Sequence, residues 1–126
     1  MGIGWVSVND STVKGTVPFH FAKDASGFFY MGQLGYSFFR KREAFAFLYH
    51  DRIAFFDFDG NHVKMCQFGD KTLRTTSSPD NPICYYSCFA SDKYVYATYR
   101  ESENDKDDTN PLYLEQFDWD GNPVAR

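Results

Sequence analysis

Apolar and polar positions along the chain form short strand-like runs punctuated by turn residues, and helix-favouring runs are nearly absent. Residues 5–9 alternate, as do 12–21, where Pro18 confines that segment to a sheet edge or a strand end. Lys23 to Gly27 reads as a turn. Phe28 then opens a strand-like region that Gly32 and Gly35 interrupt, as glycines do at a bulge or a close backbone approach. Residues 44–49 and 53–58 are apolar on both faces, with His50, Asp51 and Arg52 between them. Such continuous apolar runs predict strands covered on both sides, as where sheets stack face to face. Residues 62–68 make a more polar fourth strand. After a polar connector at 71–82 the pattern restarts with strands at 83–90, 94–100 and 112–119 and a stump from Pro123.

Two of these runs end alike. Asp57-Phe58-Asp59-Gly60-Asn61 recurs 61 positions later as Asp118-Trp119-Asp120-Gly121-Asn122. Asp-Gly between apolar runs is a strong hairpin signal and predicts a primed turn with Asp and Gly at positive φ. The oxygen density of these segments also suggests a calcium loop. An EF-hand loop wants Gly at its sixth position and Glu at its twelfth, and neither copy has that spacing. Two sets of four antiparallel strands in series are the unit of a β-propeller, although the connector and the 101–110 loop stretch the period beyond the roughly 40–45 residues of compact blades. The fold expectation is therefore all-β: a single domain over 1–126, with blades near 27–69 and 82–126. Residues 1–26 would add strands to an adjacent or terminal blade, including the outer strand that the stump at Pro123 leaves short.

Composition sharpens this. Aromatic residues make up 20% of the 126 positions, which suits pleated, half-buried surfaces. Phe45, Phe47, Phe55, Tyr94, Tyr96 and Phe117 are the expected core between blades. The net charge of −4 argues against a nucleic-acid partner, and Arg40-Lys41-Arg42 reads as a solvated basic turn. The segment 1–10 has neither the charged start nor the apolar core of a signal peptide. No apolar run is long enough for a helix to cross a bilayer.

Candidate chemistry is sparse. Cys66, Cys84 and Cys88 are an odd set without Cys-x-x-Cys spacing, so buried free thiols are expected. On a regular strand Cys84 and Cys88 would share a face yet lie too far apart to pair. His20, His50 and His62 have no ligand spacing, and no Ser or Cys sits in a nucleophile context. The carboxylates Glu101, Glu103, Asp105, Asp107 and Asp108 read as a solvated hairpin tip rather than a cation site. No metal, cofactor or catalytic residue is assigned. In propellers generally, the turns after second and fourth strands share one face of the disc, which would gather His50, Asp51, Arg52 and Arg100 as candidate binding residues.

Residues 91–99, Ser-Asp-Lys-Tyr-Val-Tyr-Ala-Thr-Tyr, followed by Phe117-Asp118-Trp119-Asp120-Gly121-Asn122-Pro123-Val124, resemble a blade of the bacterial TolB-like six-bladed β-propeller family. Residues 45–61 resemble the blade before it. The resemblance implies a toroid, often exported or lipid-anchored in the cell envelope, with no settled activity. The chain departs from that family in carrying about two blades, an incomplete propeller, and in lacking an export signal. It is therefore expected to be a non-enzymatic binding or scaffolding module, or a piece of a larger propeller. Part of an envelope-associated propeller-fold hydrolase or lyase is the alternative. Incomplete blades leave apolar faces in water, so self-association, or missing blades of a longer chain, is expected to cover them.

Overall fold

The computed structural model describes residues 2–6, 9, 13–18, 31–59, 61–66, 83–100 and 111–126, with 2–6, 13–18 and His62 described through their backbone alone. Ten strands are described and no helix: β1 (Gly2–Val6), β2 (Val13–Pro18), β3 (Gly32–Ser37), β4 (Arg42–Phe47), β5 (Ile53–Asp57), β6 (His62–Cys66), β7 (Tyr85–Ala90), β8 (Tyr94–Arg100), β9 (Leu112–Asp118) and β10 (Pro123–Ala125). They form a hairpin, β1-β2, and two antiparallel meanders, β3-β4-β5-β6 and β7-β8-β9-β10. The all-β expectation holds. No closed barrel or ring is formed among the described residues.

Burial explains the continuous apolar runs. Ala44, Ala46, Ile53 and Phe55 face one way and Phe45, Phe47, Ala54 and Phe56 the other, and all eight are between 0% and 8% exposed. The first meander is thus covered on both faces, as its sequence predicts. Its front, defined here by Ala44 and Phe55, joins one core with Tyr85, Val95, Ala97, Tyr99, Phe117 and Trp119 of the second meander. Phe55 sits 6.3 Å from Phe117 and edge-on to Trp119 at 6.4 Å between ring centroids. Each fully buried aromatic of this kind contributes about 1.5–3 kcal/mol through removal of apolar area from water.

Glycine permits the tightest approach. A Cβ on Gly35 would lie 3.2 Å from the Cys88 sulfur and 3.3 Å from the Ala90 Cβ, so β3 lies close against β7 at this point. The described strand here is Gly32–Ser37, and its glycines sit where the backbone meets its neighbours. Phe28 itself lies outside the described residues, as do the 71–82 connector and the 101–110 loop.

The second meander has the expected short fourth strand, β10, and β1 and β2 pair with each other among the described strands. Two expectations about the aromatic residues change. Tyr94 and Tyr96 lie on the far side of the second meander from the core, because Val95 and Ala97 alternate inward. Phe45 and Phe47 are buried on the rear of the first meander rather than between the two sheets.

The Asp120-Gly121 turn is of another type than expected, while Gly60 of the matching turn lies outside the described residues. Gly121 has φ of +82° while Asp120 has no positive φ, which excludes a primed two-residue turn. Instead Gly121 N–H donates to the Asp118 carbonyl at 3.1 Å, a β-turn followed by a left-handed glycine, and the register shifts between Pro123 and Ala125. A Cβ on Gly121 would also meet the Lys64 side chain at 3.1 Å and the Phe55 ring at 3.2 Å. Gly121→Ala is therefore expected to lower stability by about 2 kcal/mol, from the left-handed backbone plus these contacts. Urea denaturation of the two proteins measures it, and an unchanged midpoint would contradict this account of the turn.

Candidate functional site

The four residues singled out as binding candidates are brought to one end of the sheets. His50, Asp51 and Arg52 lie between β4 and β5, and Arg100 ends β8, whose start lies at the opposite end. Backbone bonds tie this end together: Cys84 N–H donates to the Leu48 carbonyl at 2.7 Å and Arg100 N–H to the Cys84 carbonyl at 3.0 Å. Their side chains do not form an open site. His50 is 1% exposed and meets Phe47 edge-on at 6.0 Å. Arg52 pairs with Asp51 at 3.8 Å, and Arg100 lies over the Tyr86 ring at 5.5 Å. The four therefore lie at one end of the sheets without forming an open site, and the atoms His50 Nδ1, Asp51 Oδ1 and Arg100 Nε are buried there with no hydrogen-bond partner among the described residues.

The carboxylates of the two matching turns are engaged by N–H donors. Asp57 Oδ1 accepts from the Asp59 and Asn61 backbone at 3.1 and 2.8 Å, and its Oδ2 from Asn61 Nδ2 at 3.0 Å. Asp118 repeats this with Asp120 and Asn122 at 3.0 and 2.8 Å, and Asn122 Nδ2 at 2.9 Å. Donors directed at both carboxylates make these turns staples rather than cation cages. The hydrogen bonds from the Asn61 side chain and backbone hold Asp57 below its ordinary value of 3.8. At Asp118 burial pushes upward, and the Asn122 and Asp120 bonds outweigh it, with a lowered net result.

Sequence reasoning missed a buried polar network. Glu115 is 0% exposed on an inner position of β9, among apolar neighbours. Its Oε2 accepts from the Tyr85 hydroxyl at 2.7 Å, and its Oε1 accepts from Arg126 Nη2 and Nε at 2.7 and 3.1 Å. Arg126 also lies over Tyr113 at 4.2 Å and Tyr99 at 5.2 Å. Burial, together with the neighbouring Glu115, raises the Tyr85 hydroxyl well above its usual range, so it stays a donor to the carboxylate. The available signal was period two along β9: Glu115 shares parity with Phe117, which marks it as inward-facing.

The thiols are free, as expected. A bulge between Tyr85 and Ser87 shifts the parity of β7, so Tyr85 rather than Cys84 shares the inner face of the strand with Cys88, while Cys84 is buried just before the strand begins. Burial pushes the thiols of Cys66 and Cys88 up to about 12, which keeps them protonated and unreactive at neutral pH.

What remains open is the front of the second meander. Phe89 and Tyr96 stack there at 5.3 Å, with Tyr94 edge-on to Tyr96 at 6.3 Å. Phe89, Leu112 and Leu114 are 49%, 53% and 50% exposed. Counted back from the turn aspartates, Leu114 and Gln116 occupy the positions that Ile53 and Phe55 occupy in the first meander, where both are covered. On the inner side, Phe117 holds the position that Phe56 holds on the rear of the first meander. The two sheets are therefore stacked front to rear, facing the same way.

In comparisons with protein-family models, curated proteins and solved structures, none matched the chain.

Two outcomes follow from the charged groups. Arg126→Met leaves the Glu115 carboxylate buried beside a single hydroxyl donor, with an expected loss of about 3 kcal/mol in urea denaturation. A loss under about 0.5 kcal/mol, the scale of an exposed pair, would contradict the buried pairing. For Asp57 and Asp118 the folded-state pKa lies below the ordinary 3.8, so their stabilisation is complete above that pH and is lost as pH falls through the folded values. The difference in melting temperature between the wild type and Asp118→Asn is expected to be largest near neutral pH and to shrink as the pH falls below 3.8. A difference that is constant from neutral to strongly acidic pH would contradict this.

Proposed function

We propose that the chain is a non-enzymatic binding or scaffolding module built of propeller-type blades, and that the front of its second blade is its interaction surface. One observation carries the reading: that front is open, while the corresponding front of the first blade is filled by a whole second sheet. A repeated blade that receives a sheet on its front presents the same kind of surface at the next position. The stacked, same-facing arrangement supports a propeller-like progression, in keeping with the resemblance to TolB-like blades. The rear of the first blade is already covered, with Phe47 and Phe56 each 1% exposed, so two copies of this chain meet front to front. That is a two-fold contact in which Phe89, Tyr96 and Leu114 bury one another.

Light scattering at micromolar concentration tests this. The wild type is expected to have the mass of a dimer, and Leu114→Lys, on an exposed position, the mass of a monomer with unchanged far-UV circular dichroism. A wild-type protein of strictly monomeric mass would overturn self-association through this face, and a dimer indifferent to Leu114→Lys would move the interface elsewhere.

A further inference from the structure

At the end of the sheets opposite His50, the β3–β4, β7–β8 and β9–β10 turns enclose a cleft of about 240 Å³. Arg40, Arg42, Lys93, Asp118, Trp119 and Asp120 line it. We propose that this cleft binds a small doubly charged oxyanion of the phosphate-monoester class. The cations come from both sheets: Arg40 and Lys93 are exposed and Arg42 is partly buried. Arg42 is partly buried at the start of β4, on the front that faces the second sheet. Arg40 donates through Nε to the Asp92 carbonyl at 2.8 Å, which leaves both terminal nitrogens of its fork for a ligand. Lys93 lies over the Tyr94 ring at 5.1 Å. None of the three forms an ion pair among the described residues.

The turns that carry these groups are fixed to one another. Ser37 Oγ donates to Asp92 Oδ1 at 2.6 Å and accepts from Arg40 N–H at 3.1 Å, joining the β3–β4 turn to the β7–β8 turn. Trp119 Nε1 donates to the Ser91 carbonyl at 2.9 Å, joining the β7–β8 turn to the β9–β10 turn. Lys41, between the two arginines, holds φ at +52°, a left-handed conformation that a non-glycine residue adopts at a cost. The bonds Lys41 N–H to Phe38 carbonyl, at 3.3 Å, and Phe58 N–H to Lys41 carbonyl, at 3.2 Å, keep it there. The turns that carry the cations, and the Arg40 side chain, are thus held before any ligand arrives, which lowers the ordering cost of binding.

The charges favour an anion. Three cations and two carboxylates line the cleft, with Asp57 across the β4–β5 pair from Arg42, and Asp57 and Asp118 each already accept three N–H bonds within their own turns. Two guanidinium forks and an ammonium suit a tetrahedral dianion, since guanidinium pairs with phosphate oxygens in bidentate fashion. The volume is below the roughly 300 Å³ at which drug-sized ligand sites begin, so the group accepted is compact. This site is independent of the sheet-to-sheet association proposed above.

The test is a titration of ¹⁵N-labelled protein with sodium phosphate above neutral pH, at ionic strength held constant with sodium chloride. The Trp119 indole and Arg40 Nε–H resonances report on the cleft. Saturable shifts of both are expected. Arg42→Gln and Lys93→Gln are each expected to weaken binding about tenfold, as loss of a charged hydrogen bond does. Asp120→Asn, which removes a like charge from the rim, is expected to tighten it. Lys93 and Asp120 are exposed, so these two variants decide the matter should Arg42→Gln fail to fold. Shifts that do not saturate, or that are indifferent to Lys93→Gln and Asp120→Asn, would overturn the proposal. Succinate binding as tightly as phosphate would overturn the phosphate assignment.

Discussion

The structure depends on one apolar contact, the seating of Phe55 from the first meander against Phe117 and Trp119 of the second. Everything on either side of it is arranged to let two pleated surfaces meet. Ala44 and Ala46 are small where β4 faces the neighbouring sheet, and Gly35 carries no side chain where β3 lies against β7. Val95 and Ala97 do the same from the other side. Because side chains alternate along a strand, a register slip of one residue would place Phe56 where Phe55 sits and move the inward set of that strand to the other face. The turns limit that freedom.

Turn chemistry and sheet packing are therefore linked. The staple in which Asp118 gathers the backbone of Asp120 and Asn122 sets the hairpin, and the left-handed Gly121 within it rests on Lys64 and Phe55 of the other meander. Lys64 Nζ also donates to Asn122 Oδ1 at 2.8 Å across the same junction. Local structure thus delivers a tertiary contact. The matching staple at Asp57 performs the same local task for β5 and β6. A conformation that belongs to a short-range motif becomes part of the inter-sheet contact in the second meander.

Much of this was legible in the amino-acid order. The two-sided apolar runs around Ala46 and Phe56 announced a doubly covered sheet, since no other environment takes Phe on both parities of consecutive strands. The Ser91 to Lys93 turn was evident from its residue types, and Ser91 Oγ accepts from the Lys93 and Tyr94 backbone as such turns do. Other features were not legible, for physical reasons. The turn type at Gly121 depends on the backbone angle of Asp120, and Asp-Gly serves both alternatives. The bulge at Tyr86 adds one residue and reverses parity, which no pattern of residue types in β7 reveals. Tyr94 and Tyr96 look like core residues by composition, yet strand alternation turns them to the open face. The cleft was hidden because Arg40, Lys93 and Asp120 are far apart in sequence, and only the stacking of the sheets brings their turns together. The partner of Glu115 was hidden for the same reason, since Tyr85 lies on another strand.

The central claim is the front-to-rear seating of one meander on the other through Phe55. Side-chain nuclear Overhauser contacts test it directly. The account predicts contacts from the Phe55 ring to the Phe117 ring and the Trp119 indole, and none from the Phe56 ring to either. Contacts from Phe56 in place of Phe55 would contradict the stacking on which the rest is built.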